Sequence, residues 1–431
     1  MKYIIALMGP SQSGKSFVIK KIISNKCNGF NPKLVAKQAT RNLRTEEKAA
    51  LARGEDIDVE HVNTITADLV YQTYGQRTGI EISKLIAIAN DNKVPVVVVN
   101  DIMAMAKLKK ECKKRDNDIC VISIFLFRKI PVKEEYFAES RKRGNVDDKE
   151  TEQRFDKAKT VYRIYIENMH MFDFVMLNTI NYDENDRNNG NTIVDYQIRA
   201  IRDNIILKGV CPRERCDKDK PVLYIISGNG ASGKDELIEA TYAMGKLYAD
   251  VLPKYTSRNQ KADDGPELIC KMNISEHGLI ENPTYNEYIL LRKKYPNRFL
   301  TYIANKKYEY SIDMQNLRQY LKLGKSLVVA VSDIPTIKKL IEEFKNQAVT
   351  IYCNSQISQE EFMQKSSGDD VDLAKVSEMN NKIYEFIDNY MMFRHVVIYA
   401  ENELGHASDS RQEELIDQLF RLFRAYEEKW I

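Results

Sequence analysis

Eight consecutive residues near the amino terminus have the types and spacing for phosphate chemistry: Gly9, Pro10, Ser11, Gln12, Ser13, Gly14, Lys15 and Ser16. Glycines at the first and sixth positions let successive backbone N–H groups turn inward toward phosphate oxygens. Lys15 neutralises the outer phosphates, and the Ser16 hydroxyl can sit on Mg²⁺. A helix starting at this point adds the positive end of its dipole.

The flanking residues supply the elements such a loop needs. Tyr3, Ile4, Ile5, Ala6, Leu7 and Met8 form an apolar run that predicts a buried strand. After the loop, Phe17, Val18, Ile19, Ile22 and Ile23 recur at helical spacing. Strand, G-x-x-x-x-G-K-S and helix together make a P-loop in its required context.

The same signature returns in the second half of the chain. Val222 to Ser227 predict a strand, followed by Gly228, Asn229, Gly230, Ala231, Ser232, Gly233, Lys234 and Asp235. Arg41 follows the first loop and Arg258 the second at a similar distance. A Val-rich strand then ends in Asp101, and its counterpart ends in Asp333. Further strands are expected over 121–127 and 172–177, and over 348–353 and 395–399. Units this long are duplicated domains rather than solenoid repeats of roughly 20–50 residues. The expected division is 1–208, a linker at 209–220, and 221–431. The linker is charged and holds Pro and Gly, and it follows a helix predicted over 193–207. Residues 183–190 read as an exposed loop, and 410–430 as an amphipathic closing helix. Strands alternating with helices predict an α/β fold: two domains, each a parallel sheet flanked by helices, with the loop at the carboxyl end of its first strand.

Composition bounds the function. The chain has 431 residues, 43% hydrophobic and 29% charged, with a net charge of +3. So small a charge gives little support to a dedicated nucleic-acid or membrane surface. No apolar run reaches the roughly 18 residues of a membrane span, and an amino terminus that enters a strand at once leads to the expectation of no signal peptide. Seven mostly isolated cysteines suit a reducing, cytoplasmic setting. Cys211 and Cys216 are a close pair, but two further zinc ligands at the usual spacing are missing nearby.

With these residues in place, the first half resembles the guanylate kinase family. The resemblance rests on the loop from Gly9 to Ser16, on Thr40, Arg41 and Arg44, on Gly54 and Glu55, and on Tyr74-Gly75 and Thr78-Gly79 before the Asp101 strand. It continues through Arg141, Lys142, Arg143 and Gly144, Arg154, and the closing strand before Asn178. The stretch around Thr78, Gly79, Ile80 and Glu81 is also similar to ribose 1,5-bisphosphate phosphokinase.

The resemblance implies transfer of the γ-phosphoryl group of ATP to a phosphorylated small molecule, with Mg²⁺ as cofactor. In this chain ATP would be held by Gly9, Ser11, Ser13, Gly14, Lys15 and Ser16, with the metal on Ser16. The second copy would use Gly228, Gly230, Ser232, Gly233, Lys234 and Asp235. Lys15, Arg141, Arg143, Arg154 and Asp101 match the catalytic set, the arginines being lid residues that close on the transferring group. Arg41 and Arg44 are suited to fork an acceptor phosphate, with Tyr74, Thr78 and Glu81 as further acceptor contacts. Phosphoryl transfer is mainly positioning and charge stabilisation, which suits such a set.

The second half departs from this pattern. Asp235 stands where the loop Ser/Thr is expected, and the lid-equivalent stretch 361–370 has no arginine. It is expected to bind a nucleotide or phosphate and to catalyse weakly, or to be a regulatory or structural copy. Three function classes result: a small-molecule kinase, with a nucleoside monophosphate acceptor ahead of a sugar phosphate; a non-catalytic binding module; and a polynucleotide 5′-end kinase, which +3 of net charge supports little.

Overall fold

The computed structural model describes residues 1–73, 76–128, 133–142, 148–178, 193–212, 220–228, 234–243, 248–262, 264–265, 267–304, 307–355, 385–399 and 410–428. These residues form two compact units, one within 1–214 and one within 215–431. The fold is mixed α/β, with parallel sheets flanked by helices.

The first unit begins with β1 (Lys2–Met8), α1 (Lys15–Ser24), β2 (Pro32–Leu34), β3 (Lys37–Ala39) and α2 (Thr45–Ala52). It continues with β4 (Val59–His61), β5 (Leu69–Thr73), β6 (Gln76–Ile80), α3 (Ile82–Asn90), β7 (Val94–Val98) and α4 (Ile102–Arg115). It ends with β8 (Ile119–Phe127), α5 (Lys133–Lys142), α6 (Asp148–Glu167), β9 (Phe174–Leu177) and α7 (Ile193–Ile201). The main sheet has the order β2-β7-β1-β8-β9, and all its pairs are parallel. Burial on both faces is why β1, β7 and β8 are nearly continuous apolar runs. A second sheet, β4-β3-β6-β5, mixes parallel and antiparallel pairs.

The second unit runs β10 (Leu223–Gly228), α8 (Lys234–Ala243), β11 (Asp250–Val251), β12 (Lys254–Asn259), β13 (Leu268–Ser275) and β14 (Gly278–Glu281). Next come α9 (Pro283–Lys294), β15 (Phe299–Ala304), β16 (Tyr308–Asp313), α10 (Met314–Lys322) and β17 (Leu327–Ala330). The last elements are α11 (Ile334–Phe344), β18 (Ala348–Ser355), β19 (His395–Tyr399) and α12 (Ser410–Glu427). Its parallel sheet, β11-β17-β10-β18-β19, repeats the connectivity of the first unit's main sheet. Its mixed sheet, β14-β13-β12-β16-β15, does the same with one extra hairpin strand.

Three local devices recur at matching places. Asp101 caps α4 through the Ala104 N–H at 2.7 Å, and Asp333 caps α11 through Thr336 N–H at 2.8 Å. Phe125 on β8 stacks on Tyr165 at 4.3 Å, and Tyr352 on β18 stacks on Phe386 at 4.2 Å. Gln197 on α7 clasps Leu177 on β9, accepting from its N–H and donating to its carbonyl, both at 2.8 Å. Gln418 on α12 clasps Ile398 on β19 in the same way, at 3.1 and 2.7 Å. A buried amide side chain thus fastens the closing helix of each unit to the last strand of its parallel sheet.

The helix expected over 193–207 is α-helical only to Ile201. Residues Arg202–Ile206 continue as a π turn, with Leu207 N–H on the Arg202 carbonyl at 2.9 Å. Ile205 and Ile206 are both buried there. The loop expected at 183–190 and the lid-equivalent stretch 361–370 lie outside the described residues. Among the described residues no helix is long and apolar enough to cross a membrane.

Candidate functional site

The Gly9–Ser16 loop follows directly from β1. Gly9 has no room for a side chain, since a Cβ would stand 2.7 Å from the Leu126 carbonyl oxygen. Gly14 is left-handed, with φ +86°, and a Cβ there would meet Asn178 Nδ2 at 2.2 Å. Asn178 in turn donates to the Ser13 carbonyl at 2.7 Å, tying the loop to the end of β9. Ser13 is 2% exposed, and its Oγ has no partner among the described residues. A buried hydroxyl left unpaired costs about 1–3 kcal/mol, which a phosphate oxygen would relieve.

Lys15 Nζ donates to the Gly9 and Pro10 carbonyls at 2.8 and 2.5 Å, folding the ammonium back over the loop. Ser11 is half-buried, and Ser16 is exposed in the first turn of α1. Arg128 was not foreseen. It donates to the Gln12 carbonyl at 2.8 Å and pairs with Glu139 on α5 at 3.0 Å, bridging the loop to the α5–α6 segment. Arg154, on α6, is 7% exposed, whereas Arg141 at the end of α5 forms an exposed pair with Asp148 at 3.0 Å. Arg143 lies outside the described residues.

The expected acceptor side is built on the mixed sheet. Arg41 directs both terminal guanidinium nitrogens at the Glu47 carboxylate. Glu47 also accepts the Arg44 backbone N–H at 2.7 Å, so Arg44 marks the start of α2. Burial pushes the Glu47 carboxyl up, but Arg41 and the Arg44 N–H outweigh it and hold it below the ordinary carboxylate range. Thr78 is buried on β6 opposite Ala39. Glu81 accepts from Gln38 Nε2 at 2.7 Å. Tyr74 lies outside the described residues.

Three more residues join this side. Lys37, first residue of β3, is 6% exposed and pairs with Asp58 at 3.3 Å. Burial pushes the Asp58 carboxyl up; the charges of Lys37, Lys15 and Arg41 overcome it and hold Asp58 below its ordinary range. One carboxylate therefore feels the loop lysine and the acceptor-side arginine together. Burial pushes the Tyr71 hydroxyl up, and the Asp101 and Asp58 carboxylates add to it. Burial lowers the Lys157 ammonium on α6, opposed by the charge of Asp101. Asp101 is thus a helix cap whose charge reaches this site.

The second unit repeats much of this. Lys234 Nζ donates to the Gly228 carbonyl at 3.1 Å, six residues back, as Lys15 does to Gly9. Arg258 directs both terminal nitrogens at Asp264, which also accepts the Lys261 N–H at 2.7 Å. Lys254, four residues before that arginine, is 7% exposed and donates to the Ala330 carbonyl at 2.5 Å. The strand register makes the correspondence explicit. Gln38 and Ala39 pair with Gly79 and Thr78, and Tyr255 and Thr256 pair with Ser311 and Tyr310. Tyr310 therefore occupies the place of Thr78. Lys254 lies over its ring at 5.6 Å from the centroid, and Tyr302 stacks on it at 5.6 Å. Gly230, Ser232 and Gly233 lie outside the described residues; Asp235 contributes its backbone to α8.

Lys37 was legible had the halves been laid side by side: Lys37-x-x-x-Arg41-Asn42 recurs as Lys254-x-x-x-Arg258-Asn259. Asp58 and Tyr71 carry no such mark. Among the described residues, no group of three or more His, Cys, Asp or Glu side chains is arranged to hold a metal.

No protein-family model and no curated protein matches the chain. Among solved structures, a guanylate kinase from Anaplasma phagocytophilum is similar over 48% of this chain and 87% of its own length, with a TM-score of 0.31 and 14% identity.

Proposed function

We propose that the chain is an ATP-dependent phosphotransferase whose acceptor is a phosphorylated small molecule, foremost a nucleoside monophosphate. The geometry that carries this reading is the Gly9–Ser16 loop, with left-handed Gly14, the Asn178 amide on the Ser13 carbonyl at 2.7 Å and a buried Ser13 Oγ without a partner among the described residues. Asp58, paired with Lys37 at 3.3 Å, also feels the charges of Lys15 and Arg41. The loop that would hold a donor phosphate and the fork that would hold an acceptor phosphate lie within electrostatic reach of one carboxylate. The buried, unpartnered Ser13 Oγ fits a phosphate oxygen, and the exposed Ser16 hydroxyl fits Mg²⁺. Bound Mg²⁺ would neutralise charge on the transferring group.

A sugar phosphate is the second acceptor reading. Thr78 in the first unit, where the second has Tyr310, leaves that place without an aromatic ring for a base to stack on. We infer further that the two units are diverged copies. The second would bind a nucleotide or phosphate through Lys234 and Arg258, in a catalytically weak or regulatory role.

The test is ATP consumption against a panel of nucleoside monophosphates and ribose phosphates, with Lys15→Ala and Lys234→Ala alongside. Turnover on one acceptor is expected, reduced about 10²–10³-fold in Lys15→Ala and retained in Lys234→Ala. Nucleotide binding with no turnover on any acceptor would falsify the kinase reading and favour a binding module.

A further inference from the structure

We infer that Cys120 and Cys211 are a modification site: a thiol pair that closes to a disulfide when a low-molecular-weight disulfide is present. Their Sγ atoms are 3.1 Å apart, 91 residues apart in the chain. A disulfide bond is roughly 2.05 Å long, so about 1 Å of approach separates contact from bond.

The contact rests on more than two sulfurs. Cys120 is the second residue of β8 and lies directly across from Tyr3 of β1 in the strand register. The Tyr3 hydroxyl donates toward the Ile205 and Val210 carbonyls, each at 3.2 Å. Val210 N–H returns to the Ile205 carbonyl at 3.0 Å. The segment carrying Cys211 is therefore pinned beside Cys120 by bonds that do not involve either thiol.

The two thiols differ in a way that orders the reaction. Cys120 is 7% exposed, and its thiol is pushed up by the hydrogen bond to Cys211 and by burial. Cys211 is half-buried and more accessible than Cys120. Exchange begins there: the Cys211 thiolate attacks the small disulfide and releases one small thiol. Cys120, as it loses its proton to solvent, then attacks Cys211 Sγ and displaces the second small thiol. Two protein S–H bonds are replaced by one S–S bond, and the small disulfide is reduced to two thiols. The product staples residues 205–211, which precede the second unit, to the amino end of β8. The phosphate loop lies at the carboxyl end of β1, the opposite end of the sheet. In a reducing compartment the pair stays open, so the bond reports oxidation rather than holding the resting fold.

The test uses the full chain incubated with oxidised or reduced glutathione, followed by maleimide capture of remaining thiols in denaturant and peptide mass mapping. The expected result is a Cys120–Cys211 linked peptide and a melting temperature raised by roughly several degrees. Reductant should reverse both, and neither should appear in Cys211→Ser or Cys120→Ser. Cys211 is less buried than Cys120, so Cys211→Ser keeps the test valid even if Cys120→Ser folds poorly. ATP binding should be unchanged by oxidation. Maleimide on both cysteines after oxidised glutathione, a glutathione adduct on Cys211 alone, or a bond from Cys211 to Cys216 would each overturn the inference.

Discussion

Arg41 and Glu47 form a two-pronged ion pair whose carboxylate also accepts the Arg44 backbone N–H, and Arg258 and Asp264 form the same pair at the same spacing in the second unit. A guanidinium held this way has its plane set before a ligand arrives. Less side-chain entropy remains to be lost on binding.

Glu47→Gln should loosen that plane. An acceptor KM raised about 10-fold with kcat little changed is the signature of lost ground-state binding. Stability should fall by about 2 kcal/mol at neutral pH. The folded carboxyl lies below its ordinary value, so its stabilisation is full above that value and is lost as pH falls through the folded one. The melting-temperature gap between wild type and Glu47→Gln should therefore hold from pH 7 down to about pH 4.3, the ordinary glutamate value, and narrow below it. A gap that widens on acidification would contradict the assignment.

Asp58→Asn removes the counter-charge of the buried Lys37 ammonium. The expected loss is about 2 kcal/mol, below the roughly 3–5 of a fully enclosed pair because Asp58 keeps some exposure. Replacing both, as Lys37→Met with Asp58→Leu, should recover most of that stability while abolishing acceptor turnover. Urea denaturation of wild type and the two variants decides it, and equal stability of Asp58→Asn and wild type would rule out the pairing.

Gly14→Ala forces a Cβ into the left-handed region and onto Asn178. The backbone part alone costs about 1–2 kcal/mol. Nucleotide affinity should fall at least about 10-fold, since each 1.4 kcal/mol is tenfold. Adding Asn178→Ala relieves the clash but not the φ angle, so affinity should return only in part. Titration with a fluorescent nucleotide measures both steps.

Gln197→Ala orphans the N–H and carbonyl of buried Leu177. About 2–3 kcal/mol should be lost, and hydrogen exchange at the Leu177 amide should accelerate. Gln418→Ala should do the same at Ile398 in the second unit. Exchange unaffected at either amide would remove the clasp from the account of stability.

Much of the architecture was readable from residue order. Val94–Val98 and Leu327–Ala330 are buried apolar runs bounded by a helix-capping aspartate, a signal contained within ten residues. The mixed sheets were not foreseen. Lys37–Ala39 is three residues long and entirely buried, which is too short for any period to show. Helix α2 was missed because Thr45–Ala52 has no buried stripe to betray it. The place of Thr78 opposite Ala39, which Tyr310 takes opposite Thr256, is a matter of strand register and carries no local mark.

By itself the sequence determined the α/β class and the strand, G-x-x-x-x-G-K-S turn and helix that open the chain. Both depend on neighbours: glycine torsions, a lysine and a serine within one turn, and apolar periods of a strand and a helix. Only the tertiary structure decided which charge faces which. Asp58, just before β4, meets Lys37 on β3, Asn178 reaches Ser13 from the end of β9, and Cys120 meets Cys211 beside Tyr3. Those meetings are set by strand register and sheet order. A single-residue shift in register would turn each side chain to the opposite face, and no local pattern encodes that choice.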